Sequence, residues 1–309
     1  MKMIKSTLSL LAAIIIFASC NQFQKSPSGM PYKITKGSSK ELLKHGQFVK
    51  LHIEYKLKSK DTVLNTSYGH IPMYFYLDTA RLGKYTFTEV ITKCAPGDKM
   101  EFSLSIDSLK KMGMIEFNEV FKTGDFINGK LEVIASFAKE DLVKADYEKE
   151  VEKEKATEIA QVKKYAESKN MKTVSTKSGA LVEVTNPGTG QKADSGYQVS
   201  VMYRGYFADK DGKEFDANIG KPAPGNNPID VVIGQHSVIP GWEEGLTFFA
   251  KGGKGRIVVP SFLGYGPQGR APAIAPFANL CFDVEIVDVK LAPPPPPAQG
   301  AGMPGAPGQ

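Results

Sequence analysis

The single tryptophan of this 309-residue chain, Trp242, occupies an unusual local sequence. It follows Val238, Ile239 and a Pro-Gly pair in the stretch VIPGWEEGL, where Pro240 predicts the first turn of a helix. Two interpretations compete: the indole anchors this short helix in the core, or it forms the floor of an apolar pocket. The choice depends on which other side chains the fold brings close to it.

Further aromatic, aliphatic and acidic side chains occur on either side of this turn, in segments with strand-like or turn-like patterns. They are Tyr203, Phe215, Asp216, Val238, Ile239, Tyr265, Ile274 and Phe282. Taken singly, most of these are typical of core or turn positions. The four histidines have neither metal-ligand spacing nor a nucleophile–base arrangement, so the sequence predicts no metal and no cofactor.

Taken in order, five of these segments resemble the FKBP-type peptidyl-prolyl isomerases over nearly all of residues 173–291. The matching segments are Tyr-x-Gly from Tyr203, Gly-x-x-Phe-Asp ending at Asp216, Val-Ile-x-Gly-Trp-Glu-x-Gly from Val238, Tyr-Gly from Tyr265, and Phe-Asp-Val-Glu from Phe282. Each is weak alone, but five in the family's order and approximate spacing are specific. The resemblance implies a curved antiparallel sheet wrapped on a short helix that begins near Pro240, with a pocket between them.

The resemblance also implies a role for each position. Trp242 is the expected floor, and the Ile239 N–H and the Tyr265 hydroxyl are expected to hold carbonyls of a bound peptide. The expected catalytic set is Tyr203, Asp216, Ile239, Trp242 and Tyr265, and the expected substrate-binding set is Phe215, Ile229, Val238, Ile274 and Phe282. Ile229 stands where the family often has an aromatic wall, and Arg270 replaces a common histidine. These departures bear on substrate preference and macrolide affinity.

The implied chemistry is rotation about an Xaa-Pro bond, which amide resonance opposes with a barrier of roughly 20 kcal/mol. The twisted amide has lost that resonance and is less polar than the planar one, which water solvates better. A dry aromatic pocket removes this advantage of the planar form and binds the prolyl ring in the twisted geometry. The reaction requires no nucleophile, metal or proton carrier.

The chain contains two regions of similar pattern, separated by a charged helix. SGMPYKITKG from Ser28 parallels SGALVEVTNPG from Ser178, and both regions close on an apolar strand. We expect an α+β protein: two FKBP-like domains, each a curved antiparallel sheet on a short helix, joined by a long helical linker. The expected domains are 20–138, a linker at 139–172, 173–291, and a Pro/Gly-rich tail at 292–309.

The first copy departs from the family much further than the second. Phe87 stands where Trp242 lies, Asn65 falls near Asp216, and Tyr265 has no counterpart. The first copy is therefore interpreted as a degenerate, inactive FKBP-like domain that serves substrate capture, dimerisation or spacing. An unrelated β-rich domain remains the alternative.

The amino terminus predicts export. Lys2 and Lys5 precede an apolar run that is too short to span a bilayer, so residues 1–19 are typical of a signal peptide. The run ends in Phe-Ala-Ser-Cys, which resembles a bacterial lipobox and implies cleavage before Cys20 and lipidation of its thiol. The protein is then expected in the cell envelope, on the periplasmic or the cell-surface side of a membrane.

Composition narrows the expected partners. Lys and Arg alternate with Asp and Glu, so the sequence predicts no nucleic-acid partner. Cys94 and Cys281 fall in different domains, which argues against a disulfide. The expected partners are unfolded or proline-containing polypeptides, the membrane through Cys20, FKBP-family macrolides, and a second copy of the chain.

Three functions remain open from the sequence. The leading one is an exported, lipid-anchored prolyl isomerase that assists folding. The second is a chaperone lipoprotein that holds prolyl segments in the same pocket without turnover, motivated by Ile229 and Ala275. The third is an adhesin or structural lipoprotein, motivated by the duplication and the tail.

Overall fold

The computed structural model describes residues 22–220 and 225–293. The chain divides between Val151 and Glu152 into two compact units, which are described separately. The expected signal peptide, Cys20 and all but the first two residues of the expected tail lie outside the described residues. No helix within the described residues is long and apolar enough to cross a membrane.

The first unit consists of an antiparallel sheet and short helices. Its strands are β1 (Gln24–Lys25), β2 (Pro31–Thr35), β3 (Phe48–Leu57), β4 (Thr62–Thr66), β5 (Met73–Tyr76), β6 (Lys99–Ser105) and β7 (Phe126–Phe137). The sheet order is β1-β2-β6-β7-β3-β4, and β5 also pairs with β3. A 3-10 helix spans Phe87–Lys93 and helix α1 spans Ile106–Lys111, where the Ser105 side chain accepts a hydrogen bond from the Ser108 N–H.

The second unit is also built on one large antiparallel sheet. Its strands are β8 (Thr173–Ser175), β9 (Leu181–Asn186), β10 (Thr189–Lys192), β11 (Tyr197–Phe207), β12 (Glu214–Ala217), β13 (Ile229–Val232), β14 (Ala250–Lys251), β15 (Lys254–Val259) and β16 (Leu280–Leu291). The order is β12-β11-β16-β15-β9-β8, β13 also pairs with β11, and β10 pairs with β14 in a small second sheet. Helix α3 spans Pro240–Leu246, and 3-10 helices span Ser261–Leu263 and Gly266–Gln268.

The two large sheets are copies of one arrangement. Read from its other end, the first sheet runs β4-β3-β7-β6-β2-β1, which matches β12-β11-β16-β15-β9-β8 strand for strand. Strand β3 shifts register against β7 between Lys50 and Leu51, and β11 shifts against β16 between Ser200 and Val201. The expected α+β class with two copies of one fold is therefore confirmed. The units differ in their helices: the first has a 3-10 helix before β6 and α1 after it, whereas the second has α3 before β15 and two 3-10 helices after it.

Alternation of apolar and polar residues explains how each sheet acquires one buried face. Along β6, Met100, Phe102 and Leu104 are buried while their neighbours are exposed or half-buried. Successive side chains of a strand point to opposite faces, so this pattern faces one side of the sheet toward the core. Short helices then cover that face in each unit.

Helix α2, Glu140–Ser168, lies close to the bounds that its charge pattern predicts. The unit boundary falls inside this helix. Its charged first half makes tertiary contacts: the Lys50 Nζ of the first unit lies 2.6 Å from Asp146 and 2.8 Å from Glu150. The reason is that Lys50 is only 5% exposed, and a buried ammonium requires carboxylate partners.

The second half of α2 buries Glu158, Val162, Tyr165 and Ala166 in the second unit. Val162 and Ala166 are apolar, so their burial is ordinary, whereas Glu158 is a charged residue that the sequence gives no reason to bury. Glu158 accepts hydrogen bonds from the Ser261 hydroxyl, at 2.7 Å, and from the Phe262 N–H, at 2.9 Å. The helix therefore holds the 3-10 turn that precedes Tyr265.

Helix α3 lies close to β15 because two of its residues are glycines. A Cβ at Gly241 would lie 2.6 Å from the Val259 side chain, and one at Gly245 would lie 2.6 Å from Ile257. Any larger residue would push the helix away from the sheet. The spacing of Gly241 and Gly245 therefore sets the depth of Trp242 over the sheet.

Candidate active site

A cavity of about 550 Å³ opens between α3 and the sheet of the second unit. All ten residues that the sequence analysis assigned to catalysis or substrate binding line this one cavity. Its full lining is Tyr203, Phe215, Asp216, Ile229, Ser237, Val238, Ile239, Trp242, Tyr265, Arg270, Ala271, Pro272, Ala273, Ile274 and Phe282. Residues separated by up to 79 positions are thus brought together (from Tyr203 to Phe282).

The floor of the cavity is an aromatic cluster centred on Trp242, which is 3% exposed. Its ring lies 5.5 Å from that of Tyr203 in an edge-on arrangement and 5.7 Å from that of Phe282. Phe215 meets Phe282 edge-on at 5.7 Å. Such contacts hold the rings in defined orientations, so the floor is rigid and apolar. Trp242 therefore serves both as core and as cavity lining, which reconciles the two interpretations of its position.

One polar atom in this floor has no partner. Among the buried side-chain nitrogen and oxygen atoms of the described residues, the Trp242 indole nitrogen alone lacks a hydrogen bond. A buried donor without an acceptor costs about 1–3 kcal/mol. The rest of the unit must compensate for this cost.

The polar side of the cavity is organised by Tyr203 and Asp216. The Tyr203 hydroxyl donates to Asp216 at 2.6 Å. Burial, and then this hydrogen bond, raise the pKa of Tyr203 well above its usual value, so the phenol stays protonated at any physiological pH. The Asn218 side chain accepts from the Tyr203 N–H at 2.5 Å and fixes the backbone beneath the ring.

The long loop after β15 supplies the opposite side. Its Tyr265 hydroxyl accepts a hydrogen bond from Arg270 at 3.4 Å, and the Arg270 guanidinium lies 5.8 Å from the centre of the Tyr265 ring. Arg270 and Ile274 exchange backbone hydrogen bonds of 2.8 and 2.9 Å, which folds the loop back on itself. Ile274 is 3% exposed, so its side chain is part of the wall and does not project freely.

Ile239 lies at the mouth of the cavity with extended backbone, immediately before α3. Its carbonyl accepts from the Trp242 and Glu243 N–H groups at 3.0 and 3.1 Å. Its own N–H has no hydrogen-bond partner in the part of the chain that the structure describes. The lining of the cavity therefore includes a residue whose backbone donor is not used within the described chain.

Known proteins resemble the part of the chain that contains this cavity. A family model described as FKBP-type peptidyl-prolyl cis-trans isomerase matches residues 189–287. The chain is 34% identical over 189 residues to the "Probable FKBP-type peptidyl-prolyl cis-trans isomerase" of Haemophilus influenzae, covering 60% of this chain and 71% of that protein. The chain belongs to the FKBP-type peptidyl-prolyl cis-trans isomerase family.

Two further relatives of this FKBP-type chain differ in how much of them it covers. It is 39% identical over 155 residues to the "FKBP-type peptidyl-prolyl cis-trans isomerase FkpA" of Escherichia coli, covering 49% of this chain and 53% of that protein. It is 33% identical over 111 residues to the "FK506-binding protein" of Neisseria meningitidis serogroup B, covering 36% of this chain and 96% of that protein. The chain thus spans about half the length of the Escherichia coli relative.

Glu243, which was not among the predicted site residues, positions the entrance of the FKBP-type cavity. This buried carboxylate accepts from the Gly234 N–H at 2.7 Å and the His236 N–H at 3.2 Å, and it lies 2.9 Å from the His236 ring nitrogen. It therefore holds the turn that leads into Val238 and Ile239. Its place directly after the tryptophan in the GWEEG segment was the one local signal for such a role.

Other lining residues were also missed: Ser237 and the loop residues Ala271, Pro272 and Ala273. Small and turn-forming residues carry no chemical signal by themselves, so only the folded loop reveals them. Ile229 lines the cavity at an open side and is 37% exposed. No group of His, Cys, Asp and Glu residues that could hold a metal is found in the described ranges.

Proposed function

We propose that this chain catalyses cis–trans isomerisation of Xaa-Pro bonds in exported proteins and so assists their folding outside the cytoplasm. The observation that carries the proposal is the pair of donors above the Trp242 floor. The Ile239 N–H is without a partner among the described residues, and the Tyr265 hydroxyl only accepts, so both can donate to carbonyls of a bound peptide.

In this mechanism the prolyl ring lies on the Trp242 indole, between Tyr203 and Phe282. Aromatic walls exclude water, which otherwise favours the planar amide because that form is more polar. Donors at Ile239 and Tyr265 hold the backbone on both sides of the bond while it turns. Binding is then stronger in the twisted state than in the planar one, which is the requirement for rate acceleration.

Asp216 and Tyr203 shape the polar side of this cavity. The carboxylate accepts from the Tyr203 hydroxyl and keeps the ring upright against Trp242. Asp216 therefore contributes by fixing the position of this aromatic wall.

The experiment is an isomerisation assay of the full chain with a short Xaa-Pro peptide. We expect acceleration over buffer and a drop of about threefold to tenfold in Tyr265→Phe, since one hydrogen bond contributes about 0.5–1.5 kcal/mol. Tyr197→Phe is the matched control, because Tyr197 lies on β11 outside the cavity. A wild-type chain with no acceleration contradicts the proposal.

A second candidate is a chaperone that holds prolyl segments in this cavity without useful turnover. It is supported by the open side of the cavity, where Ile229 is 37% exposed and Ala275 is exposed. Suppression of aggregation that persists in Asp216→Ala, in which isomerase activity is lost, favours this candidate. Parallel loss of both favours the enzyme.

We further propose that the mature chain is anchored through a lipid on Cys20 in the cell envelope. The support is the charged and apolar run before Cys20 and the small residues at its end. Metabolic labelling of producing cells with a palmitate analogue should mark the wild-type protein and not Cys20→Ser. Equal labelling of both, or of neither, contradicts the anchor.

Macrolide binding is proposed on the same cavity. The Neisseria relative carries the name "FK506-binding protein", and the cavity of this chain combines an aromatic floor with the two donors at Ile239 and Tyr265. Rapamycin should inhibit the isomerase activity of the full chain. Arg270→His is the informative variant, since Arg270 lines the cavity at the loop, and altered inhibition there locates the macrolide.

A further inference from the structure

The first unit has an apolar cleft of its own, at the place that corresponds to the active-site cavity of the second unit. Its volume is about 340 Å³. It is lined by Tyr55, Leu64, Asn65, Thr86, Phe102, Leu104, Leu109, Met114, Ile115 and Ile127. Its lining contains no charged side chain, so a ligand that brings a charge into it would lose hydration without compensation.

Strand pairing establishes the correspondence. Tyr55 lies opposite Asn65 on β4 and Gly129 on β7. In the same places of the second unit, Gly205 lies opposite Asp216 on β12 and Phe282 on β16. In the first unit the aromatic residue is on β3 and the glycine is on β7, whereas in the second unit the glycine is on β11 and the aromatic residue is on β16. Each pair of opposed positions therefore contains one aromatic residue and one glycine.

This arrangement builds a different floor. With no side chain at Gly129, the Phe102 ring occupies that space, and a Cβ there would lie 2.1 Å from its Cζ atom. The Tyr55 ring meets Phe102 edge-on at 5.7 Å. The cleft is therefore present and mainly apolar. None of its lining residues was predicted from the sequence to be catalytic.

The groups assigned to isomerisation are replaced. By the same register, Ile53 stands at the position of Tyr203 and Asn65 at that of Asp216, so the phenol–carboxylate pair is missing. One donor remains. The Tyr55 hydroxyl has no hydrogen-bond partner among the described residues, and burial raises the pKa of Tyr55 to about 12, which keeps its proton in place.

The segment between α1 and β7, here called the rim, carries exposed apolar side chains and contributes Met114 and Ile115 to the lining of the cleft. Met112, Met114, Phe117 and Val120 are 44%, 49%, 46% and 43% exposed. Contiguous exposed apolar side chains mark interaction sites, and methionine adapts its shape to varied partners. Met114 also lines the cleft, so the rim and the cleft form one surface.

We propose that this cleft binds an apolar segment of an unfolded polypeptide, with the Tyr55 hydroxyl donating to a backbone carbonyl. A polypeptide satisfies both features, since it supplies apolar side chains for the cleft and backbone carbonyls for the Tyr55 hydroxyl. The adaptable Met114 rim fits segments of varied sequence and requires no proline. This inference extends the proposed function, because the bound chain is the same class of client that the second unit acts on.

The test measures binding of a fluorescein-labelled, unstructured, proline-free peptide rich in Leu and Phe to the full chain, by anisotropy. Met114→Glu places a charge in the cleft. Leu42→Glu is the matched control, because Leu42 is a similarly exposed apolar residue of the first unit, 44% against 49% for Met114, and belongs neither to the lining nor to the rim. We expect affinity to fall about tenfold or more in Met114→Glu and to stay within about twofold in Leu42→Glu. Tyr55→Phe should weaken binding about twofold to tenfold.

Two results would overturn the inference: wild-type affinity in Met114→Glu, or loss of self-association in that variant by sedimentation, which would identify a second copy as the occupant. Isomerisation of a short Xaa-Pro peptide serves as the second readout and should be unchanged in all three variants. A chain without isomerase activity whose peptide binding depends on Met114 would contradict the proposed function while supporting this site.

Discussion

Gly205 and Phe282 lie directly opposite each other on β11 and β16, and the Phe282 ring occupies the space that a side chain at position 205 would fill. A Cβ at Gly205 would lie 2.9 Å from the Phe282 ring and 2.8 Å from that of Phe215. Both rings line the active-site cavity. The glycine of the Tyr-x-Gly segment therefore leaves room for two walls of the site, and the same segment supplies Tyr203.

Gly205→Ala should damage stability and activity together. The added methyl forces Phe215 and Phe282 to move, which costs about 1–3 kcal/mol in the free energy of unfolding. We expect isomerase activity to fall about tenfold, because the walls shift toward the prolyl ring. Urea unfolding and the peptide assay measure the two effects.

The control for this substitution is Arg204→Ala on the same strand. Arg204 forms an ion pair with Glu214 in which both side chains are about half exposed, so its loss changes stability by about 0–1 kcal/mol. A Gly205→Ala protein with wild-type activity would show that the rings are not held where the cavity needs them.

Trp242 offers a direct reporter of ligand binding, because it is the single tryptophan of the chain and lines the cavity. A prolyl peptide that displaces water from the indole should change the intensity and wavelength of its emission. The matched peptide with alanine in place of proline should cause a smaller change. Constant emission while the prolyl peptide is turned over would place the reaction away from Trp242.

Glu158 should prove essential for the loop that carries Tyr265. Each hydrogen bond to its carboxylate contributes about 1.5–3 kcal/mol, so Glu158→Ala should lower the free energy of unfolding by about 3 kcal/mol or more. Activity should fall as well, since the Ser261–Leu263 turn that Glu158 holds leads directly to Tyr265. Chemical unfolding and the isomerase assay are the measurements.

The control for Glu158 lies on the same helix and in the same unit. Glu152 is paired with Lys155 on the exposed surface, and Glu152→Ala should change the free energy of unfolding by less than about 0.5 kcal/mol. Equal effects of the two substitutions would mean that the helix itself, and not the buried carboxylate, stabilises the loop.

Stability should decline at alkaline pH through buried tyrosines. Burial raises the pKa of Tyr203 and, in the same unit, of Tyr165 and Tyr206. Because the pKa of each phenol is higher in the folded state, the unfolded state loses these protons first as pH rises. The contribution of the tyrosines to the free energy of unfolding is therefore complete below their unfolded pKa of about 10, and it is lost as pH rises through their folded pKa.

We therefore expect the free energy of unfolding to be constant with respect to these groups from about pH 7 to 9 and to fall above about pH 10. Tyr203→Phe should fall less steeply, because one of the three groups is absent. The measurement is urea unfolding at several pH values. An equally steep decline in Tyr203→Phe would contradict the burial of its phenol.

Much of the site was predictable from local sequence. The Tyr-x-Gly, Phe-Asp and GWEEG segments each combine a residue that can line a pocket with a glycine, proline or acid that shapes its backbone. The order of these segments, which is that of the family, made the site residues predictable, and all ten line one cavity. Alternation along strands such as β6 likewise revealed the antiparallel class, since it depends only on neighbours in the chain.

Tertiary structure alone decided the features that depend on residues far apart in sequence. The burial of Glu158 and Lys50 could not be read from a charged segment, because their partners lie 103 and 96–100 residues away. The sequence also did not show that the opposed pair Tyr55 and Gly129 of the first unit corresponds to Gly205 and Phe282 of the second, because this correspondence depends on strand register. Local patterns encode which face of an element is apolar, whereas pairing across the sheet determines which ring fills which space.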